Sequence, residues 1–506
     1  MKINSLWRGI IGVICLYVPV TLAAEAPQAA EKPATPALSE KQDLLRLDLN
    51  KCLEIAWQNN QRRPASQYAL AAAEAQHKQA LSAYWPTFSV KSIYTQLDES
   101  PNFIFPAKTI PVPGQTIPLP PPIGPVKLPP SSVNVPAQNV KLMDKHNLLT
   151  TVGVSYPVFA GGLRTSKVQQ AKSGVEAAKQ EVRRTDLQVA YDTRRMFYGL
   201  VLAKQLYQLG QDTLDRLTVT LELTESLYKR GSGKVKKTDY LRNKSATEGV
   251  RTLVAQLKGH RELAKAALVN NLGLDWQTPV EVASTEIPYQ PYRAHLDELV
   301  TTSYRFNPDW AKLRAGLEAA EAKITEARSG HFPKVMLTGS FSNIANSFQE
   351  GIVTPNNRNA WALGAMVEFP LFEGFLTQNK IREARANLNK LEQDKSLLKE
   401  GIALQVQDLF IKLRQTQEQY KAAKDAAHAA EENRDLNERA YQNELVETKD
   451  VIEAQITESF LKATFNKAVY DHAEVQAHLS YVVGTEISKM LHLDGEPQTT
   501  SENKSR

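Results

Sequence analysis

Cysteine is nearly absent: Cys15 and Cys52 are the only two in 506 residues, which excludes a disulfide framework and a thiolate metal site. The nine histidines are scattered, with no H-E-x-x-H or related metal spacing. Strong charge of either sign is missing as well. The formal charge of +6 falls by two once Lys2 and Arg8 leave with a leader. That is too mild for a nucleic-acid binder, and no aromatic-basic platform accompanies it. Beyond the leader no apolar run approaches the ~20 residues that a spanning helix needs, so any passage through a membrane must use strands. No Ser/His/Asp arrangement, paired-carboxylate cleft or cofactor fingerprint appears. Gly231-Ser232-Gly233-Lys234 looks like a phosphate loop only superficially, because the upstream glycine, the following Ser/Thr and a preceding strand are missing. The chain is therefore read as a non-enzyme that uses no cofactor or metal.

What is present begins with an export signal. Lys2 and Arg8 precede an apolar run from Gly9 to Leu22 and then the small Ala23 and Ala24, a secretory signal peptide over residues 1–23. Residues 24–46, rich in Ala, Pro, Glu and Lys, read as a disordered lead-in, and the polar stretch 494–506 as a disordered tail.

The rest is organised by one corner used twice. Val152-Gly153-Val154-Ser155-Tyr156-Pro157-Val158-Phe159-Ala160-Gly161-Gly162 alternates as a strand does, then passes a proline, an aromatic and glycines into a long helix. The same grammar returns from Leu363 to Phe375, with Pro370 and Gly374 each 213 residues after Pro157 and Gly161. Such self-similarity marks a duplicated chain. The first repeat covers 47–295: short helices, a β-hairpin over 86–158, a long helix 161–229 and a return helix 238–272 capped by Thr238 and Asp239. The second covers 296–493: helices, a hairpin 333–371, a long helix 374–442 and a return helix 449–484. Each proline-free long helix would reach about 100 Å. Ala384, Leu388, Leu391, Leu398, Ile402, Leu409 and Leu413 form a coiled-coil seam on the second.

The two hairpins differ in one respect. Pro86 and Pro157 are 71 residues apart, Pro333 and Pro370 only 37, and the excess is a segment, 101–136, that holds 12 of the 27 prolines. Lacking so many N–H groups, this part of 98–146 is expected to be a surface loop, partly polyproline II. The long helices carry no matching insertion, as if their length were fixed by a distance to be spanned.

Four strands of about ten residues, each with an apolar face and a small or polar face, suit a membrane barrel. Four cannot close one, so several chains are required. Two would give eight strands with a filled interior and three would give twelve with a bore; the residues alone leave both open.

The twofold repetition, the strand–Pro–aromatic–x–Gly corners and the two helical turns at the far ends together resemble the TolC-like outer-membrane efflux proteins over residues 47–493. The resemblance implies a mixed α/β membrane protein, mainly a long α-helical coiled-coil barrel, with a homotrimer closing a twelve-stranded β-barrel in outer-membrane lipid. It implies a passive exit duct of a tripartite efflux or type I secretion system, served by a periplasmic adaptor and an inner-membrane pump. The proline-rich segment would then face outward, and Pro86, Pro157, Gly161, Pro333, Pro370 and Gly374 would mark where barrel becomes tunnel. Aligned on Tyr441 to Ala454, the family's acidic constriction falls on Asp450 and Glu453, whose bland alternative is a helix cap and a solvated face. Tyr441, Thr238 and Asp239 match the family's gate links, whereas its linking arginine is Val446 here and its second-tip glycine is Glu444. The tips, Gly231, Gly233 and Lys234 in one and Glu444, Leu445 and Val446 in the other, would dock the adaptor. The competing class is a periplasmic coiled-coil scaffold with no pore.

Overall fold

The computed structural model describes residues 44–231, 235–346 and 358–485. The expected leader and tail, the tip residues Gly233 and Lys234, and the turn around Pro355 lie outside them. The chain runs β1 (Leu45–Leu47), α1 (Leu49–Asn59), α2 (Arg62–Leu81), β2 (Thr87–Gln96), then the short strands β3 (Asn102–Phe105), β4 (Lys108–Val112), β5 (Thr116–Ile117), β6 (Val126–Lys127), β7 (Ser131–Val135) and β8 (Gln138–Lys141). It continues with β9 (His146–Ala160), α3 (Leu163–Lys229), α4 (Lys237–Asn271), β10 (Val280–Val282), α5 (Leu296–Phe306) and α6 (Pro308–Arg328). β11 (Lys334–Asn346), β12 (Asn359–Glu368), α7 (Leu376–Gln442) and α8 (Thr448–Val483) complete it.

The duplication is visible in backbone detail. α3 and α7 are each 67 residues long and start and stop 213 positions apart. Each is entered through two consecutive left-handed residues, Gly161-Gly162 and Gly374-Phe375, so the second corner places a phenylalanine at φ 63° where the first has glycine. Each short-helix pair breaks at an asparagine that caps the second helix of the pair and clamps the end of a return helix. Asn60 Oδ1 accepts from the Arg62 N–H while its amide donates to the Asn271 carbonyl at 2.8 Å. Asn307 Oδ1 accepts from the N–H groups of Asp309 and Trp310 while its amide donates to the Val482 carbonyl, also at 2.8 Å. A side-chain oxygen on an otherwise unpaired helix-start N–H is the usual stabilising arrangement.

Four antiparallel strands form one sheet in the order β12-β11-β9-β2. The register aligns Phe88, Val90, Val152, Val154, Tyr156, Leu337, Phe341, Trp361, Leu363 and Val367 on one face. The other face carries Thr87, Ser89, Lys91, Thr151, Gly153, Ser155, Thr338, Ser340 and Ser342. Every residue of β2 and β12, the two edges, is exposed. Two hydrophobic clusters lie instead among the helices, one around Phe197, Leu268 and Leu272 and one around Leu409, Leu413 and Leu479.

Several expectations are corrected. The proline-rich segment is not a loop: β3 pairs β8, β4 pairs β7 and β5 pairs β6, a two-stranded antiparallel ribbon continuing the β2–β9 hairpin. In such a ribbon each strand has one unpartnered edge, which tolerates proline, and most of the prolines fall in the breaks between ladders. The lead-in ends in structure, since Leu45 and Arg46 pair in parallel with Val280 and Glu281. β12 stops at Glu368, short of the expected 371. Val158 leaves the face of Val152–Tyr156 because the ladder slips beside Pro157, which has no N–H to give.

Candidate functional site

The helical turns opposite the sheet bring four elements together. Lys236, not Thr238, is the residue before α4, and its N–H donates to Asp239 Oδ2 at 3.0 Å. The Glu447 N–H donates to Asp450 Oδ2 at 3.2 Å in the same way at the start of α8. Both carboxylates therefore cap helix starts, where the local dipole favours negative charge. Glu453 lies one turn further along α8, exposed, while Asp450 is half-buried. Gly231 and Glu444, 213 positions apart, both turn the chain with positive φ, 66° and 57°. Leu445 at the second tip is 77% exposed and Val446 half-buried.

Tyr441 is buried and does not meet Thr238 or Asp239 within the chain. Its hydroxyl bonds Thr224 Oγ1 at 2.8 Å and Thr448 Oγ1 at 3.0 Å, and Asn243 Nδ2 donates to Thr224 Oγ1 at 3.1 Å. One buried polar knot thus ties α3, α4, α7 and α8 immediately behind the tips. Threonines on a polar helix face gave little hint of it, because a single hydroxyl is as readily solvated as buried.

About two turns further from the tip lies a second cluster that the sequence did not reveal. Glu458 on α8 is 0% exposed. It accepts from Arg216 Nη1 of α3 at 2.7 Å, Arg434 Nη2 of α7 at 3.2 Å and Lys462 Nζ at 2.8 Å. Burial pulls Arg434 down, but the carboxylates of Glu458, Glu438 and Asp435 outweigh it and leave its pKa raised. Lys462 is likewise drawn down by burial and held up by hydrogen bonds to Glu458 and Glu431. Gln455, also buried, donates to Thr220 Oγ1 and to Glu438 Oε1 and joins this cluster to the tip. A sealed carboxylate surrounded by three cations resists opening, since each charge loses its compensation if one helix leaves.

At the sheet end, the two corners are alike in backbone and unlike in surroundings. A Cβ on Gly161 would meet Phe332 Cβ at 2.6 Å and the Ser329 carbonyl at 2.8 Å. Gly161 therefore seats the Phe332–Pro333 corner of the second repeat. Gly374 has nothing within 4 Å, and Trp85, which precedes Pro86 as Phe332 precedes Pro333, is 71% exposed. Among the described residues no cluster of His, Cys, Asp or Glu is arranged to hold a metal, and no helix is long and apolar enough to cross a membrane.

The family model for outer membrane efflux proteins matches residues 135–274 and 303–485. Nodulation protein T of Rhizobium leguminosarum bv. trifolii is 22% identical over 64% of this chain and 69% of its own. Protein CyaE of Bordetella pertussis is 26% identical over 51% of this chain, and only 54% of its own length is spanned. The solved CmeC outer membrane channel of Campylobacter jejuni superposes with a TM-score of 0.68 at 14% identity, covering 88% of this chain and 89% of that one. This helical and sheet architecture is thus shared with outer-membrane channels, and the chain belongs to the outer membrane efflux protein family.

Proposed function

We propose that three copies close the four-stranded sheet into a twelve-stranded barrel in the outer membrane, and that the helices continue it as a tunnel across the periplasm. The observation that carries this is the half-made corner contact. Within the chain, Phe332 fills the space over Gly161; its duplicate, Trp85 over Gly374, has both halves present and unpaired. A neighbouring copy with β2 beside β12 joins them, and it satisfies the two open edges that lipid would not tolerate. Three copies rather than two leave a bore.

In this reading the protein is the passive exit duct of a tripartite efflux or type I secretion system. An inner-membrane pump supplies the energy and a periplasmic adaptor grips the tips at Gly231, Gly233, Lys234, Glu444, Leu445 and Val446. Asp450 and Glu453 of three copies form a ring of six carboxylates that favours cations, as rings of acidic side chains do in channels. The Tyr441 knot and the Glu458 cluster hold the inner helices behind that ring, in place of the links to Thr238 and Asp239.

The oligomeric mass in detergent tests the assembly, together with oxidation of a Trp85→Cys/Gly374→Cys variant, which should give covalent ladders up to three chains. A monodisperse protein purified without detergent would sink the channel in favour of the scaffold. Asp450→Ala/Glu453→Ala should weaken cation selectivity and block by multivalent cations in planar bilayers; unchanged selectivity and block reject the ring.

A further inference from the structure

The ribbon of β3 to β8 is built like a surface awaiting a cover. In the β4–β7 ladder Ile110, Val112, Val133 and Val135 share one face, while Thr109, Ser132 and Asn134 share the other, where Thr109 Oγ1 donates to Asn134 Oδ1. In the β3–β8 ladder Phe103, Phe105 and Val140 share a face with Gln138, the two rings 4.7 Å apart, and Asn102, Ile104, Asn139 and Lys141 lie behind. These apolar side chains stand half in solvent, with no third layer over them among the described residues. A lone two-stranded ribbon is marginal in water, so such a face gains its order from something laid against it.

Charge identifies the cover. From residue 100 to 143 there is no aspartate or glutamate, and there are three lysines, Lys108, Lys127 and Lys141. Packing ribbon against ribbon would bring like charges together, whereas a layer of phosphates compensates them. Position agrees: β9 runs from His146 beside the ribbon to Ala160 beside α3, so the ribbon leaves the sheet at the end away from the helices. Between sheet and ribbon the strands are bridged by the backbone bonds Leu97 N–H to Lys145 O and Leu142 N–H to Pro101 O, with Lys145 Nζ donating to the Asp98 carbonyl beside them.

We propose that this ribbon docks through its apolar faces on the net-anionic phosphorylated lipid headgroups of the outer leaflet, Lys108 and Lys127 pairing with phosphate. The proposal rests on the barrel reading above, which places this end of the sheet at the outer surface. Phenylalanine and branched aliphatic side chains enter the headgroup boundary while lysine stems reach back to the charges, as on amphipathic membrane-surface segments.

Full-length protein in nanodiscs tests it, with a polarity-sensitive dye on Val133→Cys (apolar face) or Ser132→Cys (polar face), the native Cys52 being buried. In discs containing lipid A the Val133 label should be shifted to the blue and shielded from an aqueous quencher, and the Ser132 label should not. In phosphatidylcholine discs, where the choline cation already neutralises each phosphate, both should be quenched. Lys108→Gln and Lys127→Gln should each shift the docking equilibrium about fivefold toward the free ribbon. Equal quenching of the two labels in lipid A discs overturns the proposal. So does shielding of Val133 that persists in phosphatidylcholine and in detergent, which would mean that neighbouring copies cover it. A Leu363→Cys label on the apolar face of the sheet separates the two levels. If it is shielded in every disc while Val133 is not, the barrel stands and only the docking fails; if it too is quenched, the barrel reading fails and the docking with it.

Discussion

Glu458→Gln is the most telling single change, because it removes one charge from a position sealed against water and leaves three cations facing a neutral amide. Removing one member of a buried ion pair costs about 3–5 kcal/mol. The side chains of Arg434, Lys462 and Arg216 are 12%, 28% and 32% exposed, and Glu431, Glu438 and Asp435 remain near the first two. Partial hydration and these remaining carboxylates reduce the cost to about 2–3 kcal/mol. The loss is local, so it is read by hydrogen exchange of the α8 amides from Gln455 to Lys462, which should speed up about 30- to 150-fold at 1.36 kcal/mol per decade. Lys467→Gln, which removes an exposed pair with Asp471 on the same helix, is the control and should change exchange less than threefold. If Glu458→Gln accelerates exchange no more than Lys467→Gln does, the cluster does not hold α3, α7 and α8 together.

The corner glycines report on assembly: Gly161→Ala clashes with Phe332 and the Ser329 backbone and should cost about 3 kcal/mol or prevent assembly. Gly374→Ala meets open space within one chain, where it adds only about 1 kcal/mol of left-handed strain, so in the assembled protein a melting temperature lowered as far as by Gly161→Ala is expected from a neighbouring copy's Trp85 over it, and a much smaller shift would refute that contact. His472, buried between Thr416 Oγ1 and the Gln290 carbonyl, has its pKa lowered by burial against the opposing pull of that carbonyl. Above about pH 6.5 folded and unfolded states are both neutral there; as pH falls through the folded pKa the unfolded chain takes up the proton more readily, so stability drops on the acid side. His478 acts with the same sign, and His472→Gln should flatten part of the fall in melting temperature between pH 7 and pH 5.

Periodicity and punctuation made the long elements readable. Gly161 and Gly374, 213 positions apart, coincide with left-handed residues in the backbone, and a 3.6-residue pattern over 67 positions has few competitors. The ribbon escaped because proline was weighed against interior strands, while a two-stranded ribbon consists only of edges. β1 and β10 escaped because three-residue strands pairing across more than 230 positions leave no local pattern. The Glu458 cluster and the Tyr441 knot are assembled from α3, α7 and α8, with α4 added at the knot; a charged residue in a helical stretch reads the same whether it meets water or three cations. Phe375 was legible as a landmark but not as a left-handed residue, since only its register with Gly162 reveals the backbone it inherited.

The equal lengths of α3 and α7 set the terms on which this protein can change size. Adding one residue to either would turn its buried stripe by 100° and unseat the Thr224–Tyr441 knot, the Glu458 cluster and the tip beyond them. Growth is tolerable only as whole heptads inserted at matching heights in α3, α7 and the return helices α4 and α8 packed on them, each adding about 10 Å. The reach of the helical part is therefore quantised, and a relative with a longer or shorter helical part should differ from this one in steps of seven residues.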